Sequence, residues 1–167
     1  MGLLVMGRFF GMSDQDDSRG LGLADSHSGM FVTVFYGVLD PTEGTLTYSN
    51  AGQPPPLLAT GDSGAALQRL VTCGPPLGVL EDGGWTSAHA ALPPGSVLAL
   101  YTDGVLEAHN ASGDLYGMER LTASLLAHVG LPPLAIEEAI LADVARFAAG
   151  TPRQDDIAVV IVARDPR

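Results

Sequence analysis

Residues 98–108 read LALYTDGVLEA. The apolar run that leads in, Ser96 to Thr102, is nearly continuous, and a short run of this kind predicts a strand covered on both faces. It stops at Thr102-Asp103-Gly104. An aspartate with a glycine behind it reads as a turn. Gly104 then leaves room for the backbone to veer away and exposes the Asp103 carboxylate. A second stretch has the same signature in reverse. DDIAVVIVAR, residues 155–164, opens on Asp155-Asp156 and continues as a buried-type strand.

Upstream, MFVTVFYGVLD (30–40) is rich in β-branched and aromatic residues and closes on Asp40-Pro41, the signature of a strand. PTEG is a turn and TLTYSNAG a second strand, so this region predicts a β-hairpin. The three prolines of QPPPLL exclude a central strand there. Leu57–Ala59 and Leu67–Val71 bracket Gly61-Asp62-Ser63-Gly64, a second hairpin, and WTSAHAAL alternates weakly as a strand. The helices come late. Met118, Leu121, Leu125 and Leu126 recur at helical spacing up to Gly130; Ile136, Ile140, Leu141, Val144 and Phe147 form a stripe between Pro132-Pro133 and Gly150. Strands first, helices second and one returning strand give an α+β layout with mainly antiparallel sheet. Residues 13–29 are polar and glycine-rich and read as a loop or linker, and the apolar opening MGLLVMGRFFGM as a short strand, helix or docking segment. The expected organisation is an N-terminal segment, 1–29, and one domain, 30–167.

The chain carries 8 basic and 19 acidic residues among 167, a formal charge of −11. Such a surface repels phosphate backbones and argues against nucleic-acid binding. A single cysteine, Cys73, excludes an internal disulfide and a cysteine-rich zinc site. No stretch is apolar for long enough to span a bilayer, and the reading expects a cytoplasmic protein.

If the strands ending at Asp103 and starting after Asp155-Asp156 are antiparallel neighbours, the three carboxylates share one rim of a sheet. Like charges gathered there repel unless a cation neutralises them, and an all-oxygen set suits a hard ion such as magnesium or manganese. The structural alternative is that Asp103 caps a turn and Asp155-Asp156 merely opens a strand. Spacing alone leaves both open.

Four motifs in order, MFVTVFYGVLDPTEGTLTYSNAGQPPPLL, PLGVL, LPPGSVLALYTDGVLEAHNASGDLYGMERL and RQDDIAVVIV, resemble the PPM-type metal-dependent serine/threonine protein phosphatases, in their bacterial SpoIIE/RsbU-like group. The resemblance implies two antiparallel sheets packed as a sandwich with flanking helices. It implies two manganese or magnesium ions at one end, with metal-activated water rather than a side chain as nucleophile. Asp103 matches the metal-binding aspartate of the family's TDG motif, and Asp155 that of its C-terminal DD motif. Asp156, adjacent to Asp155, is counted with them among the metal-site carboxylates, and Gly104 and Arg153 are candidate contributors to the site. The implied substrate is a phosphorylated regulatory protein of the anti-sigma-factor-antagonist type.

The chain departs from the pattern in several places. The family's GDVSGHG-like segment, whose aspartate bridges both metals, is absent from the 29 residues before Met30. Asp25 in ADSHSG is a candidate replacement ligand; the alternative is a linker loop. Gln53 stands where the group usually has histidine, and Ala158 where threonine is common. An incomplete metal set leaves a second function open, a truncated, inactive phosphatase-like module that acts in protein binding or regulation. Loss of covering elements would also favour a homodimer through the uncovered sheet.

Overall fold

The computed structural model describes residues 2–11, 30–61, 66–80, 82–152 and 155–166. The chain divides into two compact units, Met1–Gln53 with Val71–Ala90, and Pro54–Leu70 with Ala91–Arg167.

The first unit is built on the predicted hairpin. Strands β2 (Met30–Asp40) and β3 (Thr45–Ala51) pair antiparallel, and β1 (Gly2–Gly11) adds to the other side of β2, so the sheet begins within the apolar opening of the chain. With β6 (Ala88–Ala91) the order is β1-β2-β3-β6. Period-two alternation sends Thr33, Phe35 and Gly37 to the buried face of β2, and Leu46 and Tyr48 to that of β3. The Phe35 and Tyr48 rings stack with centroids 5.4 Å apart. Gly37 makes this possible: a Cβ there would lie 3.0 Å from Leu46 Cδ1 and 3.1 Å from Phe35 Cε1. The turn between the strands forms as the PTEG motif predicts. The Asp40 carboxylate accepts the Thr42 and Glu43 amides at 2.9 and 3.1 Å, and these bonds, that to Glu43 first, hold its pKa below the usual carboxylate value.

Gln53, the residue in place of the family's histidine, is buried in this unit. Its amide N–H donates to Asn50 Oδ1 (2.9 Å) and its side chain to the Thr33 carbonyl (3.3 Å), while Asn50 Nδ2 donates back to the Gln53 carbonyl (3.1 Å). The residue therefore closes the turn after β3. Trp85 packs across Gly74 and donates its indole N–H to the Pro75 carbonyl at 2.8 Å.

The second unit holds the sheet β5-β4-β7-β8, formed by β4 (Leu57–Thr60), β5 (Ala66–Arg69), β7 (Val97–Tyr101) and β8 (Val159–Ala163), with every pair antiparallel. All five residues of β7 are buried, so both its faces are shielded, as the unbroken apolar run predicts. On one face Val97, Ala99 and Tyr101 meet Leu121 and Leu125 of α2 (Gly117–His128) and Ile136, Ile140 and Val144 of α3 (Pro133–Ala148). Burial of each such side chain contributes about 1.5–3 kcal/mol. Both helices occupy the predicted stretches. Sequence reading missed a third, α1 (Asp103–Glu107), where it placed a turn. Among the described residues no helix is long and apolar enough to cross a membrane.

The expected glycine stop forms at the end of α3, with Gly150 at φ 86°, and the residue before it joins in. Ala149 precedes Gly150 and itself takes the left-handed conformation (φ 45°, ψ 40°), donating its N–H to the Ala145 carbonyl. Left-handed backbone costs an L-residue roughly 1–2 kcal/mol, which glycine avoids at some cost in chain entropy. Ala149→Gly is expected to stabilise the protein by about 0.5–1 kcal/mol, raising Tm by roughly 1–4 °C in a thermal melt; an unchanged or lower Tm would refute this reading of the cap.

Candidate metal site

The ladder between β7 and β8 pairs Tyr101 with Val159, and the next step of the same register is made by Thr102 N–H donating to the Ala158 carbonyl at 3.1 Å. Beyond it the strands part. Thr102 fills the fork with its hydroxyl, which donates to the Asp156 carbonyl (2.7 Å) and accepts the Ala158 N–H (3.0 Å). The side chain is buried, and buried polar groups are costly unless satisfied. Three hydrogen bonds thus tie the residue before Asp103 to the segment that carries Asp155 and Asp156.

Gly104 completes the joint in a way the turn reading did not anticipate. It is not the pivot of a turn but a buried position in the first turn of α1. A Cβ there would lie 2.5 Å from the Asp156 carbonyl oxygen and 3.4 Å from the Asp155 carbonyl carbon. No side chain fits, so glycine is what allows the start of α1 to rest on the 155–156 backbone. Thr102 is spent on that backbone and makes no side-chain cap for α1.

The two predicted carboxylate segments therefore come to the same rim of one sheet. Asp103 and Asp155 are each half-buried, and Asp156 is exposed. Asp103 Oδ1 accepts the Gly104 N–H at 3.0 Å, and Asp155 Oδ1 accepts the Asp156 N–H at 2.7 Å. Both carboxylates are thus oriented by the amide that follows them. Such oxygen donors fit a hard divalent cation in kind. In number the set is small: among the described residues no three His, Cys, Asp or Glu side chains gather where they could hold a metal ion. Asp25 and Arg153 lie outside the described residues.

Other polar groups have structural tasks. Tyr101 is buried, which pushes its phenol up to about 12, and its hydroxyl donates to the Pro55 carbonyl at 2.8 Å. It stays uncharged at neutral pH and acts as a strut. Asp114 accepts from Asn110 Nδ2 (3.0 Å) in the turn after α1. His128 donates through Nδ1 to the Ser124 carbonyl (2.7 Å), and His89 bonds Thr47 Oγ1 (3.0 Å) in the first unit. Thr102 is the residue sequence reading passed over. Its one visible signal was a hydroxyl at the last buried position of an otherwise apolar strand.

With this geometry in view, the likenesses to known proteins are informative. Residues 18–165 match the family described as Stage II sporulation protein E (SpoIIE). Protein IcfG of Synechocystis sp. is 32% identical over 136 residues, 81% of this chain and 21% of that protein. The SiaA-PP2C domain of Pseudomonas aeruginosa superposes with a TM-score of 0.68 at 24% identity, over 81% of this chain and 52% of that one. The catalytic domain of the serine/threonine protein phosphatase PstP, solved in complex with two manganese ions, superposes with a TM-score of 0.60 at 12% identity, over 95% of this chain and 85% of that one. The chain thus spans about a fifth of IcfG and about half of the SiaA domain structure. The shared fold is the α+β, two-sheet fold of the PP2C phosphatases.

Thr102→Val keeps the shape of the side chain and removes both of its hydrogen bonds, leaving the Asp156 carbonyl and Ala158 N–H without their partner. The expected loss is about 1–3 kcal/mol, or several degrees of Tm. Thr102→Ser retains the hydroxyl and should lose less than half as much. Equal losses in thermal melts of the two variants would show that the methyl group, not the hydroxyl, matters.

Proposed function

The chain belongs to the SpoIIE family, and from that membership we propose that it is a metal-dependent protein serine/threonine phosphatase domain whose Asp103 and Asp155 hold manganese or magnesium. The observation that supports this reading is the fork at Thr102, which delivers two oriented carboxylates from segments 52 residues apart (155 − 103) to one rim.

A divalent cation bound there supplies an acidified water near neutral pH and positive charge against the phosphoryl oxygens. The chain's own residues have positioning tasks. Thr102 and Gly104 fix the separation of the two acidic segments. The Gly104 and Asp156 amides orient one oxygen of each carboxylate. The buried Tyr101 anchors the strand end from which Asp103 projects. Asp156, exposed at the same rim, adds negative charge that favours a cation. In this reading the substrate is a phosphoserine or phosphothreonine on a regulatory protein of the anti-sigma-factor-antagonist type, in keeping with the SpoIIE/RsbU-like motifs.

The small donor set among the described residues favours a second reading, a phosphatase-like module that binds without hydrolysing. One pair of measurements separates the two. Manganese titration by calorimetry should give binding in the wild type and at least about a hundredfold weaker binding in Asp103→Asn and Asp155→Asn. Hydrolysis of p-nitrophenyl phosphate should fall in parallel. Equal manganese affinity in all three proteins would overturn the site assignment, and binding without turnover would select the second reading.

A further inference from the structure

Beside the carboxylate rim lies a cavity of about 320 Å³ whose lining includes Gly104 and Asp155. It lies wholly within the second unit. α1 is only five residues long, whereas α3 runs on to Ala148. Leu141, Val144, Ala145 and Ala148, at helical spacing on α3, line the cavity together with Ile157. Ala108 and Gly150, both small, line it as well.

Ligand pockets occupy roughly 300–1,000 Å³, with mostly apolar walls and a few polar groups. This hollow is at the small end, the size for a side chain rather than a cofactor. Its polar members are Glu107, His109, Thr151 and Asp155, and the two carboxylates among them disfavour an acidic occupant. Its contact with the rim through Gly104 and Asp155 means that whatever fills it sits next to whatever is held by the carboxylates.

We propose that this cavity is a specificity pocket for an aliphatic side chain flanking the phosphorylated residue of the protein substrate. The proposal rests on the phosphatase reading above and refines it. It assigns the end of α3 the task of choosing among phosphoproteins, while the rim handles the phosphoryl group common to all of them.

The test uses the whole chain with magnesium and a set of phosphoserine peptides that carry leucine, alanine or aspartate at each position flanking the phosphoserine. In the wild type, leucine at one flanking position should raise kcat/KM about tenfold over alanine, with aspartate poorer still. Ala148→Leu fills the cavity from the helix side and should bring the leucine-to-alanine ratio close to one. Ala145→Leu serves the same purpose if the first variant melts early. A flat peptide profile in the wild type, or a leucine preference that survives both substitutions, overturns the proposal. If neither p-nitrophenyl phosphate nor any peptide is hydrolysed, the phosphatase reading fails separately. Amide shifts on adding the leucine peptides then decide the pocket: movement at Ala108, Ala145 and Ala148 upholds it as a side-chain site, and silence there overturns it.

Discussion

A single hydroxyl, that of Thr102, stands where two β-strands stop being a sheet and start being a site. Past the backbone bond from Thr102 N–H to the Ala158 carbonyl, its bonds to the Asp156 carbonyl and the Ala158 amide join the parting strands in a fork. Without the hydroxyl the Asp156 carbonyl and the Ala158 N–H would lose their partner, and one backbone bond would be left to tie the acidic segments together at this point. Gly104 makes the other half of the joint, because only its missing Cβ lets the first turn of α1 lie against the 155–156 backbone. The core below serves the same end. Tyr101, Val105 and Val159 belong to the buried cluster formed with the side chains of α2 and α3, so the fork is mounted on the core of the unit.

Much of this architecture is legible in the residues themselves, where a repeating physical cause is at work. β-Branched and aromatic content with a turn motif marks β2 and β3; an unbroken apolar run marks β7; the 3.6-residue stripes from Met118 and from Ile136 mark α2 and α3. What escapes is set by single contacts. α1 is a helix of one and a half turns beginning on Thr-Asp-Gly, a sequence whose local preference is a turn. It forms because Val105 reaches the core and Gly104 can seat on a backbone distant in sequence. The left-handed Ala149 is invisible for the same reason, since propensity alone would give that role to the glycine next to it.

The same division holds for the site. That the Asp103 and Asp155-Asp156 segments reach one rim follows once the two acid-bordered apolar runs are antiparallel neighbours, a condition that spacing left open and that the β7–β8 ladder meets. The Thr102 bonds, spanning residues more than fifty positions apart, have no counterpart in any local pattern. Gln53 teaches a related lesson. A departure from the family's usual histidine would suggest altered chemistry, yet in place the side chain closes a buried turn. Membership of the SpoIIE family says what kind of chemistry to look for and likeness to PP2C domains gives the fold, while the chain spans about a fifth of IcfG.

The central claim, that the forked strand end is where a divalent cation resides, is most directly tested by paramagnetic broadening. Substoichiometric manganese added to the nitrogen-15-labelled chain should first erase the amide signals of Gly104, Val105, Asp156 and Ile157, while those of α2 and of the acidic Asp40–Gly44 turn persist. Broadening that spreads over the acidic surface, or that centres on the Asp40 turn and leaves the Thr102 fork sharp, would contradict it.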